Sequence, residues 1–201
     1  MVCFVLGALP LVLDAFGALG GNWPRGSLPA GISRASLALL PWLLLMGLPR
    51  RSSDGLRALD GALGLPLFGL AIACDVQAGV PWSALVSGGV AAVSMVFLLG
   101  WGARVAARPL YAALWFLLVL GPVGVGLALG FANAGAPLSP EGAHAFLKWS
   151  PVGWCLMWAA ENPGLEPRLP ATPFAALLTT GLLALVPYFG RAASTGSEEE
   201  S

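Results

Sequence analysis

The order of apolar and polar residues divides the chain into six long apolar stretches separated by short polar ones. Within each stretch, leucine, alanine and glycine follow one another without the strict alternation of a half-buried strand. A helix needs about 20 mostly apolar residues to cross a hydrocarbon layer of about 30 Å. The pattern therefore predicts six membrane-spanning helices, at residues 2–20, 31–48, 59–79, 82–102, 109–132 and 171–190.

Composition favours lipid over water as the surroundings of these stretches. The 201 residues are 57% hydrophobic and 10% charged, whereas an ordinary soluble domain has about 25% charged residues. Because backbone groups inside lipid must satisfy one another, helices are favoured. We predict an all-α fold, a polytopic membrane helix bundle with about six transmembrane helices, as one domain over residues 1–191. Residues 192–201 are expected to form a disordered acidic tail.

The segment at residues 133–170 is predicted to contain one short helix before the last span. Ser150 followed by Pro151 is typical of a helix start, and the Asn-Pro-Gly that begins at Asn162 is typical of a helix end. A helix of about 11 residues is roughly 16 Å long, which is too short to cross a membrane.

Three tryptophans mark this short helix. Trp154 and Trp158 lie four residues apart, on one helix face, and Trp149 comes just before them. Two interpretations stay open. The helix is interfacial or re-entrant, with its indole rings at headgroup depth, or it is a loop helix packed against the neighbouring spans for stability alone.

Charge sets the expected orientation and excludes one class of partner. The formal net charge is zero, so there is no basic surface for nucleic acid. The excess of arginine in short loops predicts an inner (plasma) membrane protein with both termini in the cytoplasm and residues 133–170 outside. The first apolar stretch is expected to be a retained helix, since no basic segment precedes it. The predicted inner face holds Arg50, Arg51, Arg57, Arg104, Arg108 and Arg191, and the outer face holds Arg25, Arg34, Lys148 and Arg168.

Apart from Asp60 at the start of the third span, two acidic residues lie inside predicted spans, and they form a candidate polar site. Asp14 is the deepest. It is either a proton or ion relay, a partner for an arginine of another span, or a hydrogen-bonded aspartate near a helix end. Asp75 lies close to a turn and is expected to contact water. Arg34 begins a short apolar stretch, so its side chain is expected to extend toward the headgroups unless the helix begins earlier.

No constellation of catalytic or metal-binding residues is predicted. His144 is the only histidine, and Cys3, Cys74 and Cys155 are far apart in apolar surroundings. We therefore expect no enzyme activity, no cofactor and no metal. Pairs of small residues predict close helix packing: Gly17 with Gly21, Gly69 with Ala73, Gly88 with Ala92, and Gly126 with Gly130.

Four short segments resemble the membrane subunit of ABC-2 type transporters. They are Gly79-Val-Pro-Trp-Ser-Ala-Leu, Gly100-Trp-Gly-Ala-Arg-Val-Ala-Ala-Arg, Leu120-Gly-Pro and Ser150-Pro-Val-Gly-Trp. The resemblance implies a permease that works by alternating access, in which two permease subunits face each other. ATP would bind a separate cytosolic ATPase, because this sequence has no phosphate-binding P-loop. The resemblance also implies an ATPase-coupling loop, formed by Arg50, Arg51, Asp54, Arg57 and Asp60.

A second function is also consistent with the sequence. The many small packing residues and the scarcity of charge inside the spans are typical of a non-catalytic helical subunit in a larger respiratory, photosynthetic or secretion complex. In either case the expected partners are the lipid bilayer and other membrane subunits, in a homo- or hetero-oligomer. The same loop around Arg50 and Arg51 would then only fix the topology.

Overall fold

A computed structural model describes residues 2–19, 33–47, 54–105, 109–132, 145–160 and 173–195, and these residues form helices and turns without a strand. The predicted all-α fold is confirmed. The helices are α1 (Val2–Leu19), α2 (Arg34–Met46), α3 (Asp54–Gln77), α4 (Trp82–Val105), α5 (Pro109–Trp115), a π-helical turn (Phe116–Leu120), α6 (Gly121–Ala132), α7 (Pro151–Ala160) and α8 (Phe174–Thr195).

Two helical stretches in the described residues are long and apolar enough to cross a membrane. They are Trp82–Arg104 in α4 and Pro109–Leu129 in α5 and α6. The apolar parts of α1, α2, α3 and α8 are helical as predicted but shorter than this criterion requires. A bundle of six spans is therefore not established by helix length and composition, although each predicted span contains a helix.

Two helices extend beyond the predicted spans. Helix α3 begins at Asp54, so Arg57 and Asp60 belong to its first turns rather than to a loop. The side chains at 54–60, and residues 48–53 with Arg50 and Arg51, lie outside the described part of the chain. Helix α8 continues to Thr195, so residues 192–195 are helical and not part of a disordered tail.

Helix α2 lies at the centre of the bundle and packs against α1, α3, α4 and α7. Its inner positions are alanine and leucine, and Trp42 is also buried. A Cβ atom added to Gly7 of α1 would collide with the Trp42 ring, and one added to Gly64 of α3 would lie 2.9 Å from it. These two glycines therefore let α1 and α3 approach the large side chain of α2.

The same pairing of glycine with tryptophan recurs in the core. A Cβ atom on Gly47 would collide with the Trp115 ring, and one on Gly88 with the Trp158 ring. Gly88 and Ala92 are thus an inward-facing pair, as predicted for close packing. Gly69 and Ala73 are not, because Ala73 is exposed and nothing lies within 4 Å of an added Cβ at Gly69.

Helix α5, the π-helical turn and helix α6 follow one another without a break and form one continuous helix. Pro122 is the second residue after this turn and has no backbone N–H to donate to it. The Gly121 N–H donates to the Phe116 carbonyl, five residues earlier. The Ser150 hydroxyl donates to the Val119 carbonyl of this turn over 2.5 Å.

Helix α7 is held inside the bundle. Ser150 is its N-cap, and the Gly153 N–H donates to the Ser150 hydroxyl over 3.1 Å. Trp154 and Trp158 stack with their ring centroids 5.7 Å apart, and both are buried in the core. Both indole rings are therefore covered by protein, and their depth in a membrane stays a prediction. The alternative of a helix packed on its neighbours describes them, while Trp149 is 46% exposed.

Candidate functional site

Asp75 accepts hydrogen bonds at the start of α2. Its carboxylate receives the backbone N–H of Arg34 over 2.7 Å and that of Ala35 over 2.9 Å. The hydroxyl of Ser33, the N-cap of α2, donates to the same carboxylate over 2.9 Å. The first N–H groups of a helix have no partner within that helix and carry partial positive charge. A carboxylate from α3 therefore caps α2, and it is completely buried.

The turn after α3 explains where Asp75 lies. The Val80 N–H donates to the Asp75 carbonyl and the Gly79 N–H donates to the Val76 carbonyl, each over 3.0 Å. These two bonds form a Schellman C-cap, which requires positive φ at Gly79, and φ there is 87°. Asp75 thus belongs to the last turns of α3, and its side chain faces α2. The expectation that it contacts water is wrong, because the neighbouring turn does not expose it.

Arg34 joins α1 to this capped helix start. Its Nε donates to Asp14 of α1 over 2.7 Å, and its Nη1 lies 3.7 Å from Asp75 Oδ1. The Arg34 and Asp14 side chains are 6% and 19% exposed. The Arg34 side chain therefore lies inside the bundle, and α2 does not begin earlier to accommodate it. Of the roles considered for Asp14, partner of an arginine on another helix is the one observed.

The charges of this network nearly compensate one another. Two carboxylates face one guanidinium and a helix start equivalent to about half a positive charge. Among the described groups of this network, Arg34 Nη1 is buried and makes no hydrogen bond, since 3.7 Å to Asp75 is too long for one. The guanidinium thus has a donor available for a second acceptor without breaking its bond to Asp14.

The C-terminal end of helix α7 lies beside the start of α2. The Ser33 N–H donates to the Ala159 carbonyl over 2.9 Å, and the Cys155 thiol donates to the Ser36 carbonyl over 3.1 Å. The last carbonyls of α7 thus meet the first amides of α2 beside the charged network. We refer to Asp14, Ser33, Arg34 and Asp75 as the ion network.

The structure brings together only part of the residues expected from sequence to form sites. Asp14 and Asp75 belong to one site, through an arginine that sequence reasoning did not assign to either. Trp154 and Trp158 stack in the core near it, whereas Trp149 lies outside the core. Serine before arginine at the start of α2, Ser33-Arg34, was the available signal, because serine is a preferred N-cap.

Chemically, the ion network is suited to hold helices together, because its hydrogen bonds and ion pairs join α1, α2 and α3. Its hydroxyl, Ser33, has no histidine or lysine near it that would activate it, among the contacts described. In the described residues, no group of three or more histidine, cysteine or acidic side chains is placed to bind a metal ion. Comparisons with protein-family models, with curated proteins and with solved structures gave no match.

Proposed function

We propose that the chain is a multi-pass integral membrane protein. The observation that carries this proposal is the continuous helix from Pro109 to Leu129, of which only 11% of the most apolar 18 residues is buried. A core helix of a soluble protein would be mostly covered. Side chains such as Leu117 and Leu127 are instead 65% and 59% exposed, while Arg34 and Asp75 are buried. An exterior of apolar side chains, together with a buried arginine and a buried aspartate, suits a protein that is surrounded by lipid.

We further propose that it is a permease subunit of an ABC-type transporter. Two short helices, α2 and α7, support this reading because their ends meet at the ion network. Transport proteins commonly place their sites where discontinuous helices end, since helix termini there supply partial charges. Alternating access would require the contacts among α1, α2 and α7 to break and reform, and the unpaired Arg34 Nη1 gives a second set of partners a donor.

Purification of the tagged full chain in mild detergent tests the permease proposal. An ATPase is expected to co-purify, and its gene is expected to lie beside the gene for this chain. Charge reversal of the predicted coupling loop, Arg50→Glu with Arg51→Glu, should release the ATPase without lowering the unfolding temperature. Arg25→Glu, on the predicted opposite face, is the matched control and should retain it. Purification without any ATPase contradicts the proposal.

The accessory-subunit function remains the second candidate, and one observation favours it. The core is closed by large side chains fitted against glycines, such as Trp158 against Gly88 and Trp115 against Gly47. Tight packing of this kind resists rearrangement, which suits a static structural subunit. Recovery of the chain with a redox or secretion complex would support this function. Recovery with an ATPase alone would exclude it.

A further inference from the structure

Helix α4 presents a row of exposed apolar side chains on one of its faces. The members of this row follow one another at steps of four or seven residues, which keep residues on the same face of an α-helix. The opposite face, with Leu85, Ala92 and Leu99, is buried in the bundle. We refer to the row as the α4 stripe, and its side chains are between 57% and 72% exposed: Trp82, Val86, Val90, Phe97 and Trp101.

The α4 stripe begins and ends with a tryptophan. Trp82 is the first residue of α4, and Trp101 lies close to its end. The two residues are about 28 Å apart along the helix at 1.5 Å per residue, and the hydrocarbon layer of a bilayer is about 30 Å thick. No charged residue occurs between them in the sequence. The stripe therefore has the length and the polarity of a surface that crosses the hydrocarbon layer.

The end of the stripe at Trp101 is joined to α8 by a polar contact. The Trp101 indole N–H donates to the Tyr188 hydroxyl over 2.8 Å, and both side chains are exposed. Tryptophan and tyrosine combine an apolar ring with one polar group, and they are enriched where the hydrocarbon layer meets the headgroups. Two helices thus place side chains of the interfacial type next to each other at this end of the stripe.

Two hydroxyls on the part of α4 between the tryptophans are satisfied by the helix itself. The Ser87 hydroxyl donates to the Ser83 carbonyl and the Ser94 hydroxyl donates to the Val90 carbonyl, each over 2.7 Å. A hydroxyl in hydrocarbon without such an acceptor would be costly, and a carbonyl four residues earlier in the helix is the acceptor within reach. These serines are therefore compatible with a surface that lipid covers.

We propose that Trp82 and Trp101 are interfacial anchors, at which α4 enters and leaves the hydrocarbon layer of a phospholipid bilayer. The acyl chains cover the α4 stripe between them, and Tyr188 anchors α8 at the boundary that Trp101 marks. Trp82 and Trp101 then lie near the headgroups of opposite leaflets. This inference rests on the proposed membrane location, but not on the permease function.

Depth-dependent quenching of tryptophan fluorescence tests the anchors in the full chain, reconstituted into phosphatidylcholine vesicles. The quencher is a nitroxide on the lipid acyl chain, either near the headgroup or near the end of the chain. Trp82→Phe and Trp101→Phe should each remove a fluorescence component that the shallow nitroxide quenches more strongly than the deep one. Trp158→Phe is the matched control, because Trp158 is buried and the component that it removes should be quenched by neither.

Two outcomes of the quenching experiment would overturn the proposal. Stronger quenching of the removed components by the deep nitroxide would place the tryptophans away from the headgroups. Quenching by neither nitroxide would show that lipid does not cover the stripe, as when a second copy of the chain packs on it. Alkaline extraction of the same vesicles reports separately on membrane integration, so failure of the anchors and failure of the membrane location are distinguishable.

Moving one anchor along the stripe gives an independent test. Trp82→Leu combined with Val86→Trp brings the two anchors four residues closer, and the unfolding temperature is measured in bilayers of graded acyl-chain length. The bilayer thickness that gives the highest unfolding temperature should fall by up to about 6 Å, the rise of four residues. Trp149→Leu removes an exposed tryptophan outside α4 and should leave that thickness unchanged. The same optimum in the double variant as in the wild type would contradict the anchoring role of Trp82.

Discussion

At the scale of single residues, Asp75 is the described polar side chain that contributes most to holding the helices together. It satisfies two backbone donors and one hydroxyl at the start of α2 from a fully buried position. A buried donor that loses its acceptor costs about 1–3 kcal/mol. The carboxylate also balances Arg34, whose charge is itself removed from water.

Asp75→Asn is therefore expected to lower the free energy of unfolding by about 3 kcal/mol, because breaking a buried charge pair and its hydrogen bonds is costly. Thermal and denaturant unfolding in detergent measure this change. Asp14→Asn should cost less, since the Asp14 side chain is 19% exposed whereas that of Asp75 is completely buried. Equal losses for the two variants would contradict the capping role of Asp75.

Sequence predicted the two aspartates of this site but neither Ser33 and Arg34 nor the arrangement of the four residues. Asp14 was recognised because a carboxylate inside an apolar stretch needs a partner, and an arginine is indeed that partner. The burial of Asp75 could not be read from sequence, because its neighbour Gly79 marks a turn without saying whether the turn is covered. The side chain of Arg34 was expected to extend toward the headgroups because its partners, Asp14 and Asp75, come from helices distant in sequence and could not be recognised.

At the scale of elements, the placement of helix α7 determines how the core of the bundle is packed. Ser150 serves it twice, as N-cap and as donor to the Val119 carbonyl of the π-helical turn. Sequence predicted the helix start at Ser150 and Pro151 from local rules. It did not predict the π-helical turn or the hydrogen bond from Ser150 to that turn, because the bond joins residues 31 apart in sequence.

Ser150→Ala should lower the free energy of unfolding by about 1–2 kcal/mol, because it removes an N-cap and a buried tertiary hydrogen bond. Ser87→Ala is the matched control. Ser87 is exposed and its hydroxyl donates only to carbonyls of its own helix, so its loss should change stability by less than about 0.5 kcal/mol. A similar cost for both serines would show that α7 is not anchored through Ser150.

Gly88→Ala should displace Trp158 and loosen α7, at a cost of about 1–3 kcal/mol, because a Cβ there collides with the indole ring. Labelling with a thiol reagent gives a direct readout, since Cys155 of α7 is buried in the native fold and should react faster in the variant. Gly69→Ala, where the added Cβ meets open space, should leave Cys155 protected. Protection of Cys155 in Gly88→Ala would contradict the predicted displacement.

At the scale of the whole molecule, large apolar side chains lie on the exterior as well as in the core. Exposed leucine, valine and phenylalanine occur on α1, α3, α4, α5, α6 and α8, whereas an arginine and an aspartate are buried. Hydrophobic composition predicted this exterior correctly. It could not predict that α2 would be only 13 residues long, because that length is set by the cap from Asp75 at one end.

Leu117→Asp distinguishes a lipid-facing surface from one that faces water. Leu117 lies within the least covered helix and is 65% exposed. If this surface faces lipid, the substitution should cost about 2.5–3.5 kcal/mol of insertion free energy and reduce the fraction of chain that resists alkaline extraction from membranes. Phe146→Asp is the matched control, because Phe146 is also exposed but lies outside the predicted spans. In water, both substitutions would be nearly neutral. A Leu117→Asp variant that accumulates like wild type and remains a folded monomer in detergent-free buffer would contradict the membrane location.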